Sequence, residues 1–249
     1  MNDVISTILN HRSIRHFEDK PLTDEQIHTI VSCAQAAATS SFIQAYSIIG
    51  VNDKEKKKKL AELTGNQEYV EKNGCFFVFC ADLYRHTIIG EKEHKNVAPS
   101  LESTEKFMVA LIDTSLAAQN AAIAAESLGL GICYIGGIRN NLEEVKKLLH
   151  LPDRVIPLFG LAVGYPSHIT DKKPRLPLKH VFHVDQYEQD MERYNGQLDE
   201  YDQLISDYYE TRTNGQRKDR WTQQIANMLS KQNRMYMKEF IQKNKLDLH

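Results

Sequence analysis

Near the start of the chain, two guanidinium groups, an imidazole and a hydroxyl fall within five residues: His11-Arg12-Ser13-Ile14-Arg15. A guanidinium is a planar, permanently charged fork that matches phosphate and other oxygen-rich edges. A second basic group, Lys172-Lys173-Pro174-Arg175, lies far downstream. Between them, Tyr134-Ile135-Gly136-Gly137 carries adjacent glycines, which let bare backbone approach a ligand edge. Taken singly, each of these also fits a solvated loop or a simple turn. Together they suit a phosphorylated cofactor with a planar ring.

Other chemistries find less support. Gly129-Leu130-Gly131 with Gly136 has a superficial likeness to a dinucleotide fingerprint, but that motif needs the order strand, glycine turn, helix. Here the order is helix, glycine, strand. The four cysteines, Cys33, Cys75, Cys80 and Cys133, have no CxxC spacing and are expected to be reduced packing residues. Cys75 and Cys80 share one strand at an odd separation, which points them to opposite faces. There is no HExxH motif, so no protein-bound metal is expected. No Ser/His/Asp or Cys/His constellation stands out, and His16 and His86 are read as structural.

The 249 residues balance 31 Lys and Arg against 33 Asp and Glu, a net charge of −2, which disfavours nucleic acid as the main partner. The start, Met1-Asn2-Asp3, lacks a basic region followed by an apolar run. The most apolar run, residues 117–128, holds Gln119, Asn120 and Glu126 and falls short of the roughly 20 residues of a membrane span. A cytoplasmic protein that does not engage a membrane is expected.

These groups need elements to hold them. Thr23 with Gln26 forms a capping-box pattern that starts a helix through Ile27, Ile30, Val31 and Ala34. Strand-like runs cover residues 47–51, 76–81, 132–135 and 157–163. A lysine-rich helix begins near Asp53, and its run Lys56-Lys57-Lys58-Lys59 reads as a solvated face. Residues 101–128 predict a long helix, apolar nearly all round, ended by Gly129 as a C′ glycine. Such a helix belongs in a core or a subunit interface. Another helix covers residues 141–149. After Asp185 tyrosines and mixed charges take over, which predicts a helical arm broken at Thr211-Arg212-Thr213-Asn214-Gly215. The organisation expected is a single domain over residues 1–249, with a core to 184 and an arm from 185 to 249.

Six segments occur in an order that resembles a known family: His11-Arg12-Ser13-Ile14-Arg15, Thr39-Ser40-Ser41-Phe42, Thr64-Gly65-Asn66-Gln67, residues 124–131, Tyr134-Ile135-Gly136-Gly137-Ile138-Arg139 and Lys173-Pro174-Arg175-Leu176-Pro177. They are similar to the FMN-dependent, NADPH-preferring nitroreductases and flavin reductases, particularly a Gram-positive branch. The resemblance spans nearly the whole chain, including Tyr208-Tyr209-Glu210-Thr211-Arg212. It implies an α+β fold in three layers, with a mostly antiparallel sheet between helices, and an intertwined homodimer with FMN at the subunit interface.

By the same resemblance, His11, Arg12 and Ser13 with Lys173 and Arg175 hold the FMN phosphate and ribityl chain. Arg15 approaches the pyrimidine end, where a cation stabilises the negative charge of reduced flavin. Gln67 meets the pyrimidine edge, the backbone at Gly136 and Gly137 faces N5 and O4, and Tyr134 and Ile135 wall the pocket. Ser40 and Ser41 come from the partner subunit, and Phe42 borders the substrate space with Arg234. Arg212 and Arg217 meet the 2′-phosphate of NADPH. The implied reaction is ping-pong: hydride passes from NADPH to FMN, then to a nitroaromatic, quinone, azo compound or free flavin. No side chain serves as a nucleophile. The alternative is a protein that delivers reduced FMN without a dedicated organic acceptor.

Overall fold

The computed structural model describes residues 2–249. Helices α1 (Asp3–Leu9) and α2 (Asp24–Gln35) lead to strand β1 (Tyr46–Val51), then α3 (Lys54–Leu63), α4 (Glu68–Glu71) and β2 (Cys75–Asp82). Next come α5 (Tyr84–Lys92), α6 (Ala98–Leu101), α7 (Thr104–Ser127), β3 (Gly131–Ile135), α8 (Leu142–Leu148) and β4 (Val155–Gly164). The chain ends with α9 (Met191–Arg212), α10 (Trp221–Leu229) and α11 (Met237–Lys243).

The four strands form one sheet in the order β1-β2-β4-β3, and every neighbouring pair is antiparallel. Strand β2 is buried along its whole length, and its side chains alternate between two cores. Cys75, Phe77 and Phe79 face α2 and the alanines of α7, whereas Phe76, Val78 and Cys80 face residues of α3, α8 and α11. Helices therefore cover both faces, giving the α+β, three-layer arrangement expected. The two strand cysteines point to opposite faces as their spacing requires. Burial pushes both thiols up, that of Cys75 to about 12, and all four cysteines are free.

Local signals set the helix ends. Thr23 accepts from the Gln26 N–H, and the Gln26 side chain accepts from the Thr23 N–H. Asp53 caps α3 through the Lys56 N–H. Gly129, at φ +76°, closes α7. There the Leu130 N–H donates to Ala125 O and the Gly129 N–H to Glu126 O, the two bonds of a Schellman motif.

Three expectations need correction. The long helix does not begin at Leu101: α6 stops there, and Ser103 caps α7 separately. Nor does the apolar stretch of α7 fall short of the length of a membrane span. Its 24 residues are long and apolar enough by length and composition to cross a membrane, yet half of its apolar window is buried inside the protein. One face packs its alanines on the sheet with Asp113 and Thr114 also buried, while Met108, Ile112 and Leu116 form an exposed stripe at four-residue spacing. Finally, the lysine run of α3 is not uniformly solvated. Lys57 is buried and donates to the Asn73 carbonyl at 2.8 Å, and burial pushes its ammonium below the usual lysine value.

Contacts divide the chain into two units. The first comprises residues up to Thr170 together with Arg234–His249, and the second is Asp171–Asn233. The final segment belongs to the first unit because Phe240 and Leu246 are buried in its core. The second unit has a small core of its own around Tyr201, Ile205 and Tyr209.

Close packing of β2 on β4 makes a sharp prediction. A Cβ at Gly160 would lie 2.1 Å from Cζ of the buried Phe76 ring. Gly160→Ala is therefore expected to destabilise the protein by about 1–3 kcal/mol through overpacking. Chemical denaturation measures this, and an unchanged midpoint would contradict the packing described.

Candidate active site

The basic segment is attached to the edge of the sheet. Ser13 bridges Ile132 in parallel, and the Ile14 N–H donates to Ile132 O at 2.8 Å. Ile14 then fits against β3 only because residue 131 is glycine: a Cβ there would lie 2.8 Å from two Ile14 side-chain atoms. At one end of the segment, His11 Nδ1 lies 2.8 Å from Glu126 Oε1 at the close of α7. Arg12 donates from Nε to Asn10 O at 3.0 Å. A surface cleft of about 440 Å³ opens beside α1, and of the residues expected to hold flavin, Arg12 alone lines it.

Arg15 lies at the head of a chain of contacts that no spacing in the sequence reveals. Its guanidinium lies close enough to the Tyr69 hydroxyl to oppose the rise in pKa that burial imposes on that phenol. Tyr69 in turn donates to Gln67 Oε1 at 2.6 Å, and Gln67 Nε2 donates to Thr64 O at 2.7 Å. Gly137 closes on this group. A Cβ at 137 would lie 2.4 Å from Thr64 O and 2.9 Å from Gln67 Nε2. The structure thus brings Arg15, Gln67 and Gly137 together and adds Tyr69 as the link between them. Gln67 keeps one amide N–H and part of its carbonyl capacity for a ligand. Burial raises the Cys133 thiol, while the Arg15 charge and the nearby Ser13 oppose that rise.

Gly136 and Gly137 begin a 3₁₀ turn, Gly136–Asn140, at the end of β3. A Cβ at Gly136 would meet nothing closer than Arg139 Nη2 at 3.2 Å, so this glycine is the open one of the pair. The turn is held by the returning C-terminal segment. Tyr236 donates to Arg139 O and accepts from the Leu142 N–H, both at 2.9 Å. Arg234 forks from Nε and Nη2 onto Asn140 Oδ1 at 3.1 and 2.8 Å. Arg139 donates to Leu158 O at 2.5 Å, and burial, with Arg234 close by, depresses its guanidinium. Tyr134 packs edge-on to Phe159 at 5.5 Å, and Ile135 is buried beneath the turn. Burial and then Glu126 raise the Tyr134 phenol.

Ser40, Ser41 and Phe42 lie on a separate loop, and no hydrogen bond joins it to the Arg15–Gln67 group among the described residues. Ser41, Phe42 and Gln44 all have φ between +47° and +57°, and Phe42 is 82 % exposed. Non-glycine residues in this region cost on the order of 1–3 kcal/mol each and persist only where the surroundings enforce them. Asp113 supplies much of that enforcement. Fully buried on α7, it accepts from the Ser40 N–H at 2.9 Å and the Ala45 N–H at 3.1 Å, at the two ends of the loop. His86 Nε2 holds the middle through Ile43 O at 2.8 Å. A carboxylate within an otherwise apolar helix was the available sequence signal for Asp113.

In the second unit, Lys173 donates to the Tyr209 hydroxyl at 3.0 Å. Arg212 is not in a loop, as expected from the sequence, but is the last residue of α9, because the helix continues until Asn214 reverses it in the left-handed region. Its Nη1 donates to the Tyr208 hydroxyl at 2.9 Å. Arg217 instead lies against Asp219, which accepts from its Nε at 2.8 Å and from its Nη2.

The donor set fits a phosphorylated flavin. Arg12, Arg15, Lys173, Arg175 and Arg212 form no ion pair with a carboxylate among the described residues, whereas Lys146, Arg154 and Lys243 do. A protein that leaves cations without counter-charges has capacity for an anion. Among the described residues no group of His, Cys, Asp and Glu is arranged to hold a metal ion.

Comparison with known proteins matches this arrangement. Residues 8–165 match the model of the nitroreductase family, and residues 173–249 match that of the nitroreductase family C-terminal domain. The chain belongs to the nitroreductase family. It is 56 % identical over 241 residues to an FMN reductase (NADPH) of Bacillus subtilis (strain 168), covering 97 % of each protein. The structure of B. megaterium NfrA1 superimposes with a TM-score of 0.98 at 65 % identity, covering 99 % of this chain and 100 % of that one. The NADPH:FMN oxidoreductase of Vibrio harveyi, complexed with NAD⁺, gives 0.90 at 38 % identity with 100 % of both chains covered.

The loop clamp can be tested directly. Asp113→Ala leaves two N–H groups without their acceptor and is expected to cost about 2–6 kcal/mol, at about 1–3 kcal/mol for each orphaned donor. Asp113→Asn retains one acceptor and should lose less. Thermal and urea denaturation of both variants decide the point, and equal stability of Asp113→Ala and the parent would contradict it.

Proposed function

We infer that this chain is an NADPH-dependent FMN oxidoreductase that passes reducing equivalents to small organic acceptors. The observation that carries the reading is the Arg15–Tyr69–Gln67 relay closed against Gly137, in a chain of the nitroreductase family. Bound FMN supplies a ring that accepts hydride and later releases it. The chain's own residues bind and orient that ring, which is the usual division of labour with a redox cofactor.

His11, Arg12 and Ser13, with Lys173 and Arg175, hold the FMN phosphate and ribityl chain. Arg15 supplies positive charge at the pyrimidine end and Gln67 hydrogen-bonds its edge. Open backbone at Gly136 and Gly137 serves the N5 and O4 side, with Tyr134 and Ile135 as the wall. The protein acts as a homodimer in which Ser40 and Ser41 reach the partner's flavin. The exposed stripe of Met108, Ile112 and Leu116 supports this, since single chains rarely leave such a row in water. Phe42 and Arg234 border the acceptor space. The acceptors are nitroaromatics, quinones, azo compounds or free flavin, and the compartment is the cytoplasm.

Arg212 is the main contact for the 2′-phosphate of NADPH, with Arg217 in support. Arg212 is anchored by a neutral hydroxyl and keeps its charge, whereas Arg217 is already satisfied by Asp219. Arg212→Ala is therefore expected to lower kcat/KM for NADPH about tenfold or more, the effect of losing about 1.4 kcal/mol, with little change for NADH. Running both coenzymes against nitrofurazone and against free FMN tests the reading as a whole. Turnover with free FMN alone would favour a reductase that delivers reduced flavin. Equal loss with both coenzymes would remove Arg212 from 2′-phosphate recognition. Light scattering should give twice the chain mass, and an active, flavin-loaded monomer would rule out the dimeric site.

A further inference from the structure

In the second unit, Tyr209 touches both a cation assigned to the flavin phosphate and a cation assigned to the coenzyme. It is 8 % exposed, in the unit's small core. Its hydroxyl receives a hydrogen bond from Lys173 Nζ at 3.0 Å. Its ring lies beneath the Arg217 guanidinium, whose carbon is 4.3 Å from the ring centroid. Burial alone would raise the phenol's pKa, but the Lys173 hydrogen bond and charge, with Gln224 and Arg217, outweigh it and leave the phenol below its ordinary value.

The backbone is arranged to bring Arg217 back over the ring. Asn214 and Gly215 reverse the chain with φ of +49° and +82°. The Gly215 N–H donates to Glu210 O at 2.8 Å, closing α9. Thr213 then braces the return: its hydroxyl donates to Tyr209 O at 2.6 Å and accepts from the Arg217 N–H at 2.9 Å. Arg217 is further fixed by Asp219, whose Oδ2 also accepts from Gln224 Nε2 at 3.0 Å.

A neutral phenol suits this place chemically. A carboxylate partner would orient Lys173 but cancel its charge. The phenol hydroxyl takes one of three ammonium protons and leaves two, with the full charge, for an anion. The ring face attracts a guanidinium through its quadrupole without using any of its N–H groups. On this one side chain the hydroxyl serves chiefly Lys173 and the ring chiefly Arg217.

Resting on the functional reading above, we propose that Tyr209 is a positioning residue shared by both phosphate-recognition groups: its hydroxyl aims Lys173 at the FMN phosphate, and its ring aims Arg217 at the 2′-phosphate of NADPH. Cofactor retention and coenzyme preference are then coupled through a single side chain.

The two functions separate by substitution in the flavin-loaded enzyme. Tyr209→Phe keeps the ring and removes the hydroxyl. Its FMN dissociation constant should rise about tenfold, the scale of one lost charged hydrogen bond, while KM for NADPH stays within about twofold. In Tyr209→Leu both values should rise. If the leucine variant does not fold, Arg217→Lys, which keeps the charge but loses the planar stack, should raise KM for NADPH alone. The decisive readout is a double-mutant cycle on FMN affinity. Tyr209→Phe combined with Lys173→Met should bind FMN no more weakly than Lys173→Met alone. Additive losses, or unchanged FMN affinity in Tyr209→Phe while Lys173→Met is weakened, would overturn the proposal and leave the assignment of Lys173 standing. Unchanged affinity in Lys173→Met would overturn both.

Discussion

A basic segment can serve as a binding site only if it is held still, and here the hold is the parallel bridge from Ser13 and Ile14 to Ile132 at the edge of the sheet. The basic segment and the Arg15 end of the site are registered to it. The bridge requires Gly131, because Ile14 occupies the space of any side chain at that position. It fixes where Arg15 emerges, and from Arg15 the contacts pass through Tyr69 to Gln67 and the glycine turn. The sheet is thus the reference frame, and the loop residues that would meet a ligand are set against it by single, identifiable contacts. Sites built this way achieve the sub-ångström placement that cofactor chemistry demands.

The cations fall into contrasting groups. Some with structural duties are matched to carboxylates, as with Arg154 and Glu102 or Lys146 and Asp153, and others, such as Lys57 and Arg139, to backbone carbonyls. Cations proposed for phosphate are steered by neutral groups: Arg12 by a carbonyl, Arg15 by Tyr69, Lys173 by Tyr209 and Arg212 by Tyr208. Neutral acceptors orient a donor without cancelling the charge that must attract the ligand. Arg217 is the exception, and its pairing with Asp219 is why it takes the supporting role.

What could be read from the sequence was local. The capping box at Thr23 and Gln26, the Asp53 cap and the Schellman glycine Gly129 each depend on residues a few positions apart. The ordered motifs were legible because they span the chain in family order. Tertiary partners were not. Lys57 is buried because its acceptor is the carbonyl of Asn73, in the turn before β2. Asp113 clamps a loop some seventy residues earlier in the chain, at Ser40 and Ala45. Tyr69 stands two residues from a recognised motif, but its role depends on Arg15 arriving from the other end of the domain. For α7, composition reported an apolar helix without distinguishing the alanine face packed on the sheet from the stripe left outside. The polar neighbours of Arg212 suggest a loop, yet the helix extends to it and reverses only at Asn214.

FMN binding and the acceptance of reducing equivalents from NADPH are tested most directly by an anaerobic titration of the purified protein, followed by absorbance, with the flavin identified after denaturing extraction. A yellow protein with one FMN per subunit is expected. One equivalent of NADPH should bleach it in the absence of an acceptor, and adding nitrofurazone should restore the colour. A protein that binds no flavin, one that yields FAD, or an FMN band that NADPH leaves untouched would contradict this assignment.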